Sequence, residues 1–100
     1  MNLILVDEKL QEAIQKLNDF HFRTVDCCEG HFDDKIPNMY ISFGNNVKFT
    51  DAPENFKLEN HGTIIRHIYK NTKLKKEFEK EKEEILKNLY KWINEKIENR

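Results

Sequence analysis

The sequence predicts an α+β fold: a small, mostly antiparallel sheet with an N-terminal helix and a long C-terminal helix. Three observations lead there. Apolar residues recur at i, i+3, i+4, i+7 after Asp7. Short β-branched and aromatic runs, separated by turn residues, occupy positions 20 to 69. The composition then changes abruptly at Thr72 to Lys, Glu, Leu and Ile with no Gly or Pro. One hundred residues suit a single domain, read as an α/β unit over 1–71 followed by a helix over 72–99.

Met1 to Val6 is a short apolar run, read as an edge strand in preference to a lead-in to the first helix. Asp7 is a natural N-cap, and Leu10, Ala13, Ile14 and Leu17 form one stripe of a helix over 8–19. The aromatic and β-branched run from Phe20 to Val25 predicts a strand, and Cys28 to Asn38 has loop chemistry. Residues 39–50 predict a hairpin, with Met39 to Phe43 and Val47 to Thr50 as its arms and Gly44-Asn45-Asn46 as its turn. Pro53 ends that unit. Phe56-Lys57-Leu58 is an apolar-polar-apolar fragment, Asn60-His61-Gly62 a turn, and Thr63 to Tyr69 a further strand.

The C-terminal helix carries an apolar stripe of Leu74, Phe78, Ile85, Leu86, Leu89, Trp92, Ile93 and Ile97, interrupted at Glu81-Lys82. Its second half is expected to pack on the sheet. Its first half, dense in Glu/Lys pairs, reads as an exposed helix. The stripe is too short to demand a coiled coil. Trp92, Ile93 and Ile97 look too apolar for so small a domain to cover, which suggests a homo-oligomer.

Charge and hydropathy limit the partners. Residues 1–71 hold 8 Lys/Arg and 11 Asp/Glu, residues 72–100 hold 9 and 7, and the net charge is -1, so long nucleic acid is not an expected partner. No apolar run approaches the ~20 residues of a membrane span, and the opening residues lack the basic stretch of a secretory signal, so a cytoplasmic protein with no membrane partner is expected.

The oddest chemistry is T-V-D-C-C-E-G-H at 24–31. Thiolate and imidazole suit zinc, but no second ligand pair of Cys or His accompanies Cys27, Cys28 and His31. A nucleophilic cysteine needs a cationic neighbourhood, whereas Asp26, Glu29, Asp33 and Asp34 are acidic. Strand alternation would put Val25 and Cys27 on one face and Thr24, Asp26 and Cys28 on the other. The preferred reading is a strand entering a tight turn, with Gly30 at positive φ, that presents backbone N–H groups and His31 to a ligand. No metal, cofactor or catalytic residue is assigned.

The stretches L-N-D-F-H-F-R-T-V-D-C-C-E-G-H, P-N-M-Y-I-S-F, A-P-E-N-F-K-L-E and T-I-I-R-H-I-Y together resemble small, largely uncharacterised proteins of bacteria and bacteriophages. Those proteins carry a T-x-x-[SC]-C-x-G-H turn, a Y-I-x-F strand and a later strand with an Arg. The resemblance implies that residues 27–31, 40–43 and 63–67 surround one pocket. The turn is also distantly similar to the Ser-Cys-Ser-Gly-Arg turn of wybutosine-synthesis methyltransferases, which implies methyl transfer as an alternative. Phage proteins of this size include some that sequester nucleotide signals of host defence, and that class supplies the leading expectation: a small protein binding a nucleotide-like molecule without turnover. A hydrolase or transferase using His31 with a cysteine or carboxylate, and a zinc-binding or protein-interaction module, are the alternatives. The expected ligand-binding residues are Arg23, Thr24, Cys28, Glu29, Gly30, His31, Phe32, Tyr40, Ser42 and Arg66. Phe43 and Tyr69 read as core, while Tyr40 and Phe32 suit pocket or core equally.

Overall fold

The computed structural model describes residues 6–44 and 46–99. After a short 3-10 turn over Glu8–Leu10 the chain forms α1 (Gln11–Asp19), β1 (Thr24–Cys28), β2 (Asn38–Phe43), β3 (Lys57–Glu59), β4 (Ile64–Ile68) and α2 (Lys75–Glu98). The sheet has the order β1-β2-β4-β3 with every neighbouring pair antiparallel. This is the α+β architecture that the sequence predicts. The expected strand over the first residues lies outside the described residues except for Val6, a buried bend.

The expected stripe of α1 is present: Leu10, Ala13, Ile14 and Leu17 are fully buried. Asp7 does not cap the helix through its side chain, which serves another segment instead. The helix end displaces the strand expected from Phe20. The N–H of Phe22 reaches Leu17 O at 2.8 Å and that of His21 reaches Asn18 O at 3.1 Å, with His21 at φ 68°. This is a Schellman stop whose left-handed position is filled by His instead of Gly. Asn18 then clamps helix to strand: its Nδ2 donates to Ile14 O and Thr24 Oγ1, and its Oδ1 accepts the Thr24 N–H at 3.1 Å. The strand therefore starts at Thr24.

A bulge at Val25 corrects the expected alternation. Thr24 lies opposite Phe43 and Cys27 opposite Ile41, so Thr24 and Cys27 share the core face, while Val25 is 48% exposed. The 39–50 hairpin does not form. Both edges of β2 are already occupied, by β1 and β4, and residues 47–50 carry Phe49 into the core instead. There Phe49 meets Phe43 at 4.9 Å and Trp92 at 4.8 Å between ring centroids, and its N–H bonds Gly62 O. Gly62, at φ 86°, could carry no side chain, since a Cβ would lie 2.4 Å from Phe49 O.

One face of the sheet, with Met39, Ile41, Phe43 and Ile65, packs on both helices; Phe78, Ile85, Leu89, Trp92 and Ile93 line α2. Two expectations for α2 change. Its first half is not simply exposed, because Phe78 and Lys82 are buried, while Leu74 is 59% exposed. Trp92 and Ile93 are buried within the chain's own core and Ile97 packs against it, so they no longer argue for an oligomer. Among the described residues no helix is long and apolar enough to cross a membrane.

Candidate functional site

The turn after β1 is built around Glu29. Its N–H donates to Asp7 Oδ2 at 2.9 Å, its carbonyl accepts the Tyr69 hydroxyl at 2.7 Å, and its carboxylate points inward to Lys82 Nζ at 3.1 Å. The second carboxylate oxygen accepts the Lys9 N–H. Both ends of this ion pair are nearly removed from water, with side-chain exposures of 4% for Lys82 and 11% for Glu29. Lys82 lies in the gap of the α2 stripe, one turn beyond Phe78, whose ring its ammonium overlies at 5.1 Å. The apparent break in the apolar stripe is thus a buried cation facing a buried anion.

Gly30 follows at φ 85°, where a Cβ would meet Tyr69 Cε2 at 2.4 Å and Asn38 O at 2.8 Å. Only glycine lets the chain pass here. The N–H of Gly30 points to Cys28 Sγ at 3.4 Å, and the N–H of His31 to Asp34 Oδ2 at 2.9 Å. The His31 ring is half-exposed between two carboxylates, with Nε2 3.7 Å from Asp7 Oδ1 and Nδ1 3.7 Å from Asp34 Oδ2.

Both cysteines are free thiols. Burial, reinforced by Asp7 and Asp26, pushes the Cys27 thiol up to about 11. Burial also raises Cys28, and Asp7 and Asp34 add to this against the opposing Gly30 N–H. Neither thiol has the depressed pKa of an activated nucleophile.

Two clefts flank the end of β4. The first, about 350 Å³, has walls of Phe32, Ile36, Pro37, Ile68, Tyr69 and Phe78, with Lys35, Lys70, Asp34 and Thr72 at its polar edge. Ile36 and Ile68 are 63% and 54% exposed. The second, about 440 Å³, runs between β3, β4 and α2 past Lys57, Glu59, Arg66, His67, Glu81 and Glu84. In it His67 places Nε2 2.7 Å from Glu81 and Nδ1 2.7 Å from Asn55 O.

The ten expected residues do not form one pocket. Cys28, Glu29, Gly30 and His31 make the turn, and Phe32 carries it to the first cleft with its ring edge-on to Phe78 at 5.6 Å. Tyr40, Ser42 and Arg66 lie on the solvent face of the sheet, where Tyr40 pairs with Cys28 across β1 and β2 and with Arg66 across β2 and β4. There the Tyr40 hydroxyl donates to Asp26 at 3.0 Å, and Arg66 stacks over Tyr40 while bonding Glu59 and Asn38. Burial and Asp26 push the Tyr40 hydroxyl up to about 12. Arg66 also reaches the second cleft. Arg23 and Thr24 stand at the far end of β1, Arg23 exposed and Thr24 buried against the Asn18 clamp.

Sequence reasoning missed Asp7, Asp34, Lys35, Lys70 and Lys82. Lys82 alone left a signal, as the gap in the apolar stripe. No family model matches the chain, and neither a curated protein nor a solved structure matches it.

Proposed function

We propose that this protein binds a small, planar, anionic molecule of nucleotide type in the cleft between the Phe32–Pro37 loop and the start of α2, without turning it over. The observation that carries this reading is the composition of that cleft. Its volume of about 350 Å³ falls within the usual range of small-molecule sites. Phe32 offers a partly exposed ring to a base, backed by the buried rings of Tyr69 and Phe78, and Lys35 and Lys70 offer donors to an anionic group. The turn residues Glu29 to His31 act as the cleft's support through Tyr69 and Phe32, which gives three of the expected residues a positioning role. Arg66 has no contact role in this cleft, being engaged with Glu59 and Asn38.

Binding without turnover is supported by the raised thiols, which leave the turn without an activated nucleophile. The test is calorimetric titration with a panel of linear and cyclic mono- and dinucleotides, followed by recovery of the ligand from denatured protein. Binding of an intact nucleotide, lost in Phe32→Ala and weakened about 10-fold or more in Lys35→Glu, is expected. No heat with any nucleotide at millimolar concentration sinks the binding reading, and recovery of a cleaved or transferred product sinks the absence of turnover.

A further inference from the structure

We propose that Asp7, Cys28 and His31 form a binding site for a divalent transition-metal ion of zinc-like preference, with a fourth coordination position open to solvent. The three donor residues lie outside the nucleotide-binding cleft, although Asp34 stands at its edge, and the proposal does not rest on nucleotide binding.

The donor atoms of the three residues lie within 4.8 Å of one another, although they come from two separate segments of the chain. A tetrahedral ion with bonds of about 2.0–2.3 Å separates its donors by about 3.3–3.6 Å. Asp7 Oδ1 and His31 Nε2 are already 3.7 Å apart. Modest side-chain rotations close the remainder, and His31 is on the surface and free to make them.

Three surface groups near one another would not by themselves define a metal centre. What sets this cluster apart is that each donor has a separate group placed to orient it. Asp7 accepts the Glu29 N–H through Oδ2, leaving Oδ1 turned to His31. The sulfur of Cys28 faces the Gly30 N–H, the backbone contact that stabilises a metal thiolate. The Nδ1 edge of His31 faces the Asp34 carboxylate, which also holds the His31 N–H, so the opposite nitrogen Nε2 points to the cluster. A carboxylate behind a ligating imidazole is the usual arrangement around such ions.

The donor types select the metal. A thiolate, an imidazole and a carboxylate suit zinc and its neighbours, whereas magnesium and calcium prefer oxygen donors throughout. The charge balance agrees: the carboxylate of Asp7 and a thiolate at Cys28 neutralise a divalent cation between them. Cys28 Sγ lies within 4.8 Å of the donor atoms of both Asp7 and His31, so an ion between the carboxylate and the imidazole is within reach of the sulfur. On binding, the Sγ–H bond breaks, an Sγ–metal bond forms, and the proton passes to solvent.

Cobalt(II), whose spectrum reports both geometry and sulfur ligation, is the probe. Titrated into the full chain after chelator treatment, it should bind with a single ion per chain, giving thiolate-to-cobalt charge-transfer absorption and the strong visible bands of tetrahedral coordination. Zinc should then displace it. Cys27→Ser should keep the charge-transfer band and Cys28→Ser should lose it. His31→Ala, at a position the core does not use, should weaken cobalt binding by at least about 10-fold. Absence of the charge-transfer band in the unaltered chain, its survival in Cys28→Ser, or unchanged affinity in His31→Ala overturns the site.

Discussion

The two ends of β1 are held by opposite chemistry. At the Thr24 end, Asn18 satisfies the strand with neutral hydrogen bonds and a Schellman stop closes the helix beside it. At the Cys28 end, a buried Glu29–Lys82 ion pair, two thiols, an imidazole and the carboxylates of Asp7 and Asp34 converge within a few residues. A neutral clamp fixes the strand with little desolvation, which suits a scaffold. Buried charge stabilises weakly for what its desolvation costs, so its presence points to a demand other than stability.

Breaking the ion pair gives the largest expected effect. Lys82→Ala leaves the Glu29 carboxylate buried without its cation and should lower unfolding free energy by about 3–5 kcal/mol in urea titration. The double variant Lys82→Met, Glu29→Leu should recover most of that loss. A double variant as unstable as the single one would mean that the pair itself, and not the orphaned charge, supports the turn.

Gly30→Ala comes next, at about 2–4 kcal/mol, combining the left-handed backbone penalty with overlap against Tyr69 and the Asn38 carbonyl. At the other end Asn18→Ala should cost less, about 1–2 kcal/mol, because neutral hydrogen bonds are lost and no charge is stranded. A larger loss from Asn18→Ala than from Lys82→Ala would reverse the contrast between the two ends.

The smallest effect is a pH dependence. The folded chain holds the Cys27 thiol at about 11, above its ordinary value of 9.0, so folding favours the protonated form. The contribution is complete below pH 9 and is lost as pH rises towards 11. In metal-free protein the urea midpoint should therefore fall across that window, and Cys27→Ser should flatten the fall. Alkylation of Cys27 in the folded protein should remain slow at pH 8 and accelerate only above pH 9.

Local patterns were legible in the sequence where one force acts alone. The α1 stripe, the β4 run and the long α2 helix follow from apolar periodicity and propensity, and the structure has them. The 39–50 hairpin was misread because Gly44-Asn45-Asn46 has good turn chemistry, yet nothing local indicates that β2 already has two neighbours. The strand start was misread because His21 fills a left-handed position usually given to Gly. The C-E-G-H turn was legible as a turn through Gly30, but its partners Asp7, Tyr69 and Lys82 are distant in sequence and no spacing rule joins them. Alternation across β2 and β4 faces Tyr40, Ser42 and Arg66 away from the core, and the β1–β2 register brings Cys28 opposite Tyr40, while the residues after Cys28 turn towards the cleft beside Phe32.

The bonds that Glu29 makes also bear on the order in which the chain folds. They span 22 residues to Asp7, 40 to Tyr69 and 53 to Lys82. Each requires a long loop to be closed before the contact can contribute, so the turn gains its stabilisation only when sheet and α2 are already in place. In pulse-labelled refolding the amides of Glu29 and Gly30 should become protected after those of β2 and β4, making this turn the last part of the molecule to set.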